Sequence, residues 1–150
     1  MEFQMAADLS RPPEQVWPVM VDIARIAGCI PGCEKVEERE HLADYSAVMK
    51  QKLGPFKIEV PATITVEEHQ EPQLVRACAT GMDKLTRTTF RVELEVKLAP
   101  LDSQGCRLAV VANLQVAGRL ASLGHSVIKK RAEENFAEFE RRFRAELETI

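Results

Sequence analysis

Between Cys33 and about Val116 apolar residues recur at every second position, the spacing of a β-strand with one buried face. Tyr45, Ala47, Met49, Gln51 and Leu53 alternate with Ser46, Val48, Lys50 and Lys52. After the Gly54-Pro55 turn signal, Ile58, Val60, Ala62, Ile64 and Val66 alternate with polar partners such as Glu59, Thr63 and Glu67. Beyond Glu71-Pro72 a further strand is predicted over Leu74 to Met82. Phe90, Val92, Leu94, Val96 and Leu98 repeat the pattern, as do Cys106, Leu108, Val110, Ala112, Leu114 and Val116. One-sided strands joined by short turns predict an antiparallel meander with one face to water and one to a core. That inner face needs a cover.

Two segments can supply it. Phe3 to Leu9 reads as a short edge strand, and Ser10-Arg11-Pro12-Pro13-Glu14 then carries a helix-start signal. Prolines suit a first turn, whose N–H groups have no intrahelical partner, and Glu14 suits the positive end of the dipole. Val16, Trp17, Met20 and Val21 follow at helical spacing, with Ile23, Ile26 and Ala27 beyond a break. At the other end Leu120, Leu123, Val127, Phe136, Phe139, Phe143 and Leu147 step by three or four, except for a gap near Arg131-Ala132. They predict one long amphipathic helix from Leu120 onward. From Lys129 to Glu148 it carries six basic and six acidic residues, a solvated face without net charge. The chain of 150 residues thus reads as a single α+β domain: one strand, two short helices, about six strands and a long helix on the concave face of the sheet.

Composition narrows the function. The formal net charge of -3 gives no electrostatic reason to expect nucleic acid. No apolar run approaches the ~20 residues of a bilayer span. MEFQMAADLS has no basic stretch followed by an apolar one, so no signal peptide is expected, and the protein is expected in the cytoplasm with its four cysteines reduced.

Two of those cysteines flank the segment Cys29-Ile30-Pro31-Gly32-Cys33. A structural zinc site needs a second ligand pair; Cys78 and Cys106 stand alone in separate strands, and His41 and His69 are not arranged as partners. A thioredoxin-type redox pair has a two-residue spacer at a helix N-terminus, whereas here the spacer is longer and the first cysteine follows a helix. The expectation is a structural turn, with Pro31 at i+1, Gly32 at i+2 and Cys29 and Cys33 as small buried hydrophobes. No metal and no cofactor are expected. Asp22 and Asp83 are expected as caps or turn formers, and His125 as a residue pointing away from the core.

The order of elements, together with the residues at its joints, resembles the helix-grip fold of the SRPBCC (START/Bet v 1-like) superfamily, and within it the CoxG family of carbon monoxide dehydrogenase subunits. The residues that carry the resemblance are Pro12-Pro13-Glu14-Gln15-Val16-Trp17, Cys29-Ile30-Pro31-Gly32-Cys33-Glu34, Tyr45, Lys52-Leu53-Gly54-Pro55 and Gly118-Arg119-Leu120-Ala121-Ser122-Leu123-Gly124. The resemblance implies a curved antiparallel sheet of about seven strands wrapped around the C-terminal helix, with a hydrophobic cavity between them. It also implies an accessory role beside a molybdenum hydroxylase such as carbon monoxide dehydrogenase. Many members continue into a linker and an apolar tail; this chain stops at Ile150, so membrane contact is not expected. Gly81 to Thr89 is also poorer in glycine than in relatives, which predicts a differently shaped cavity mouth.

In such a fold the inward positions Met20, Met49, Gln51, Val60, Ile64, Phe90, Val92, Leu94, Val110, Leu120, Leu123 and Val127 are the candidate cavity lining, for a small lipophilic ligand that is lipid, quinone-like or aromatic. Each is also an ordinary core position. Gly118, Ala121 and Gly124 would allow close packing or a portal, and Gln51, Arg76 and Asn113 are candidate polar anchors. No cluster of titratable residues nominates a reaction. The alternatives are a docking module for the oxidoreductase, with an incidental cavity, and a cyclase- or hydrolase-type enzyme.

Overall fold

The computed structural model describes residues 1–102 and 104–150. Strand β1 (Glu2–Leu9) leads into helix α1 (Pro13–Met20), with Pro12 at the N-cap and Pro13 in the first turn. Helix α2 (Ile23–Ala27) follows after a break at Val21–Asp22, where the Asp22 carboxylate accepts from the Arg25 N–H at 3.4 Å. Strands β2 (Cys33–Glu40), β3 (Asp44–Leu53), β4 (Phe56–Gln70), β5 (Leu74–Asp83), β6 (Thr88–Pro100) and β7 (Cys106–Ala117) run consecutively, and helix α3 (His125–Leu147) ends the chain.

All neighbouring strands are antiparallel, in the order β1-β7-β6-β5-β4-β3-β2. The six-strand meander is therefore extended by β1, which pairs along β7 from Glu2 opposite Asn113 to Leu9 opposite Cys106. Register shifts between Glu34 and Glu37 and between Val66 and Glu68 mark bulges, which bend the strands. The sheet curves around α3 as a helix-grip fold.

The Ile30-Pro31-Gly32-Cys33 turn forms as its residues dictate. Gly32 has φ +82°, and the Cys33 N–H donates to the Ile30 carbonyl at 3.1 Å. A side chain on Gly32 would also place its Cβ 1.9 Å from the Lys50 carbonyl oxygen, so β3 passes too close for any other residue.

The C-terminal region departs from the expected single helix. Arg119–Leu123 is a short 3-10 segment, and α3 starts only at His125. Gly118 and Gly124, at φ +113° and +90°, flank that segment in conformations a continuous α-helix cannot contain. His125 is exposed as expected and stacks on Phe3 with ring centroids 6.1 Å apart.

Packing divides the concave side into regions. At one end Val16, Trp17, Met20, Leu108, Phe143 and Leu147 form the largest buried cluster. At the other, Leu53, Ile58, Val60 and Leu120 pack under the β3–β4 hairpin. Phe3, Ala112 and Ile128 seat the start of α3 on β1 and β7.

Candidate ligand cavity

Along α3 the residues facing the sheet run Ile128, Ala132, Asn135, Phe139 and Phe143. Bulky side chains stand at both ends, with alanine and asparagine between them. The sheet is equally small at this level: Ala62 is opposite Gly81, and Ile64 opposite Ala79. Where small residues on the helix meet small residues on the strands, a void remains. It is a cavity of about 230 Å³ lined by Met49, Leu53, Ile58, Ala62, Ala79, Gly81, Phe90, Val92, Leu114, Ile128 and Ala132, with the polar residues Gln51, Thr80, Arg131 and Asn135. Gly81 is required here for packing: a Cβ on it would lie 2.5 Å from Val60 Cγ1 and 2.6 Å from the Pro61 carbonyl oxygen.

A second apolar space of about 150 Å³ lies toward the α1–α2 end, among Met20, Ile26, Ile64, Leu94, Val110, Phe139 and Phe143. The stacked rings of Phe139 and Phe143, 5.4 Å apart, line it from the helix.

The polar side of the larger cavity is organised by Gln51. Its Nε2 donates to the Pro31 carbonyl at 2.7 Å, and its Oε1 accepts from Asn135 Nδ2 at 3.2 Å. One amide thus ties the turn after α2, strand β3 and helix α3 together. Beside it the Arg131 Nε donates to the Lys52 carbonyl at 3.0 Å, and Nη1 pairs with Glu134 at 3.4 Å. A wider depression of about 490 Å³ adjoins this edge, sharing Gln51, Ile58, Arg131 and Asn135 with the cavity and adding Pro31, Gly32, Lys50, Lys52, Lys57, Glu59 and Leu85.

The candidate lining from the sequence divides by position. Met49, Gln51, Phe90 and Val92 line the larger cavity, and Met20, Ile64, Leu94 and Val110 the smaller one. Val60 and Leu120 are buried in the hairpin cluster, with Leu123 packed against it. Val127 lies beside Gly54 in a separate surface recess with Lys52 and Lys130. Two proposed polar anchors point the other way. Arg76 pairs with Glu68 and Glu95 on the convex face, and Asn113 is exposed between Glu2 and Glu93, because alternation sets both outward. Ala62, Ala79, Gly81, Ile128, Arg131, Ala132 and Asn135 were missed by sequence reasoning. For Arg131, Ala132 and Asn135 the signal was the interruption of the apolar stripe at Arg131-Ala132; the small strand residues carried none.

The four cysteines are free thiols. Burial pushes the Cys29 and Cys33 thiols up, with Glu146 and Glu34 adding to it respectively, the opposite of what a reactive thiolate requires. Among the described residues no group of three or more histidine, cysteine, aspartate or glutamate side chains is placed to hold a metal. Among them, too, no helix is long and apolar enough to cross a membrane. Arg131 is the one ionisable residue in the lining of the larger cavity.

Comparison with known proteins agrees with this architecture. The family model for CoxG, a carbon monoxide dehydrogenase subunit, matches residues 6–148. No curated protein matches the chain. Among solved structures, a conserved protein from Geobacillus kaustophilus superimposes with a TM-score of 0.88 at 19% identity, covering 99% of this chain and 96% of its own. A START superfamily protein from Mycobacterium smegmatis gives 0.72 at 11% identity, with 99% and 97% covered. The Zhui aromatase/cyclase from Streptomyces sp. R1128 gives 0.70 at 14%, with 99% and 93% covered. At such identities these likenesses establish the fold.

Proposed function

The chain belongs to the CoxG family of carbon monoxide dehydrogenase subunits, and from that premise we propose that it is a single-domain carrier that binds a small lipophilic molecule between sheet and helix without transforming it. It acts as an accessory to a molybdenum hydroxylase of the carbon monoxide dehydrogenase type. The observation that carries the binding reading is the void of about 230 Å³, walled by apolar side chains and polar along one edge. A mostly apolar pocket with a few convergent polar groups is what recognition of a small lipophilic molecule requires. A fixed reaction would need several titratable groups converging there, and the lining holds one. The aromatase/cyclase shares the fold, and a fold alone carries no activity.

The test is native mass spectrometry and solvent extraction of the purified protein, with Ala79→Phe as the comparison. Ala79 faces the void between Ile64 and Val92, so a phenyl ring there occupies the ligand's space. The expected result is a bound lipophilic molecule on the native chain and none on the folded variant. A native chain with no bound molecule and no uptake of a hydrophobic dye would overturn the carrier reading. Pull-down discriminates this reading from a docking module: a stable complex with the molybdenum hydroxylase favours the docking module, because a carrier need only associate transiently.

A further inference from the structure

The charge around the cavity's polar edge is opposite to that of the molecule as a whole. The cavity, the adjoining depression and the recess beside Val127 together are lined by Lys50, Lys52, Lys57, Lys130 and Arg131, against only Glu59 and Glu134. The whole chain carries a formal charge of -3. Lys50 is engaged by Glu34 at 2.8 Å, but Lys52 and Lys57 form no ion pair among the described residues. They stand directly opposite each other across β3 and β4, an arrangement of like charges that weakens a strand pair. Arg131, one turn after Ile128, reaches both the apolar void and the outer depression. Its Nε and Nη1 are occupied by the Lys52 carbonyl and Glu134, while Nη2 has no hydrogen-bond partner among the described residues.

An uncharged lipophile gains at most a hydrogen bond from such a rim, whereas an anionic head also gains the attraction of its charge. We propose that the ligand is an amphiphile with an anionic head, a carboxylate or a phosphate, held at the mouth by Arg131 with Lys52 and Lys57 around it, while a single apolar chain or ring lies among Met49, Phe90, Val92, Leu114 and Ile128. The void of about 230 Å³ is smaller than the roughly 300–1,000 Å³ of pockets for drug-sized ligands, so it suits one short tail and not the two tails of a bilayer phospholipid. Gln51 and Asn135 hold each other and the Pro31 turn, which leaves Arg131 as the charged group available to the head. This inference rests on the carrier reading.

Isothermal titration with decanoate, decyl phosphate, decan-1-ol and decyltrimethylammonium separates the head-group assignment from the carrier reading. Both anions are expected to bind at least about tenfold more tightly than the alcohol, the difference one charge-assisted hydrogen bond makes. Their affinity is expected to fall with added salt while the alcohol's does not. Tighter binding of decanoate or of decyl phosphate identifies the head as carboxylate or phosphate. Arg131→Gln is expected to abolish the anions' advantage over the alcohol; the Lys52→Gln, Lys57→Gln double variant, away from the helix, gives a smaller loss of that advantage. Equal affinity for all four probes, or anion binding unchanged in both variants, would overturn the head-group assignment and leave the carrier reading standing. Uptake of none of them, together with a native chain empty by mass spectrometry, would overturn the carrier reading instead.

Discussion

At the scale of single residues, Asp83 shows how a polar side chain is turned into structure. It is 2% exposed, and Thr88 beside it is fully buried. Its carboxylate accepts from the Glu59 N–H at 3.2 Å and the Thr86 N–H at 3.0 Å, as well as from the Thr86 hydroxyl. The Thr86 hydroxyl also reaches Thr88, whose oxygen accepts from the Leu120 N–H at 3.1 Å. Burial pushes the Asp83 carboxyl up, but these hydrogen bonds outweigh it and hold the group below the usual aspartate range. A lowered native pKa means the stabilisation is present above the unfolded value of about 3.9 and is lost as pH falls through the native one. Asp83→Ala is therefore expected to cost on the order of 2 kcal/mol in urea unfolding at neutral pH. The gap between variant and native chain should shrink as pH falls below about 4. A gap independent of pH would show that the carboxylate's charge contributes nothing. A turn former at Asp83 was legible in the sequence, but its bonds to β4 and, through the threonines, to Leu120 are long-range and left no local trace.

At the scale of elements, α3 carries two kinds of position that its amphipathic pattern does not separate. Phe143 is buried at 1% exposure against Trp17, Leu108 and Leu147, whereas Phe136 is half-buried and touches Phe139 from the side, ring centroids 6.3 Å apart. Phe143→Ala is expected to destabilise by about 3–5 kcal/mol, and Phe136→Ala by clearly less, in matched denaturant titrations. Comparable losses would mean that the helix is gripped evenly along its length. The periodicity made the helix legible, and its inward stripe from Phe139 to Leu147. It overran the N-terminus because Leu120 and Leu123 keep helical spacing through a 3-10 segment, and only Gly124, at positive φ, separates that segment from α3. Ile128, the most buried residue in the first turns of α3, was passed over in favour of Val127 because adjacent apolar residues leave the facing ambiguous by about 100°.

At the scale of the whole molecule, buried clusters seat both ends of α3 on the sheet and a void lies between them, so ligand and fold are thermodynamically linked. A ligand at one hundred times its dissociation constant is expected to raise unfolding stability by about 2.7 kcal/mol, provided it binds only the folded chain. The Ala79→Phe variant, with the void filled, should show no such rise. An equal rise in both would place the binding site elsewhere on the molecule.

Period-two alternation by itself determined the meander, and with it which side chains of β3, β4, β6 and β7 face inward, because a strand has only two faces and one had to be apolar. Pro31-Gly32 likewise determined its own turn, since the φ values of proline and glycine are local properties. The cavity was a tertiary decision. It exists because Ala62, Ala79 and Gly81 on two adjacent strands come to lie under Ala132 and Asn135 of a helix far along the chain, and no local rule brings those residues to one level. The same holds for the basic rim: Lys52, Lys57 and Arg131 are ordinary surface charges in the sequence, and only the docking of α3 beside the β3–β4 hairpin gathers them at one mouth. Facing follows from backbone period, whereas a void and its charge follow from which elements are laid across one another.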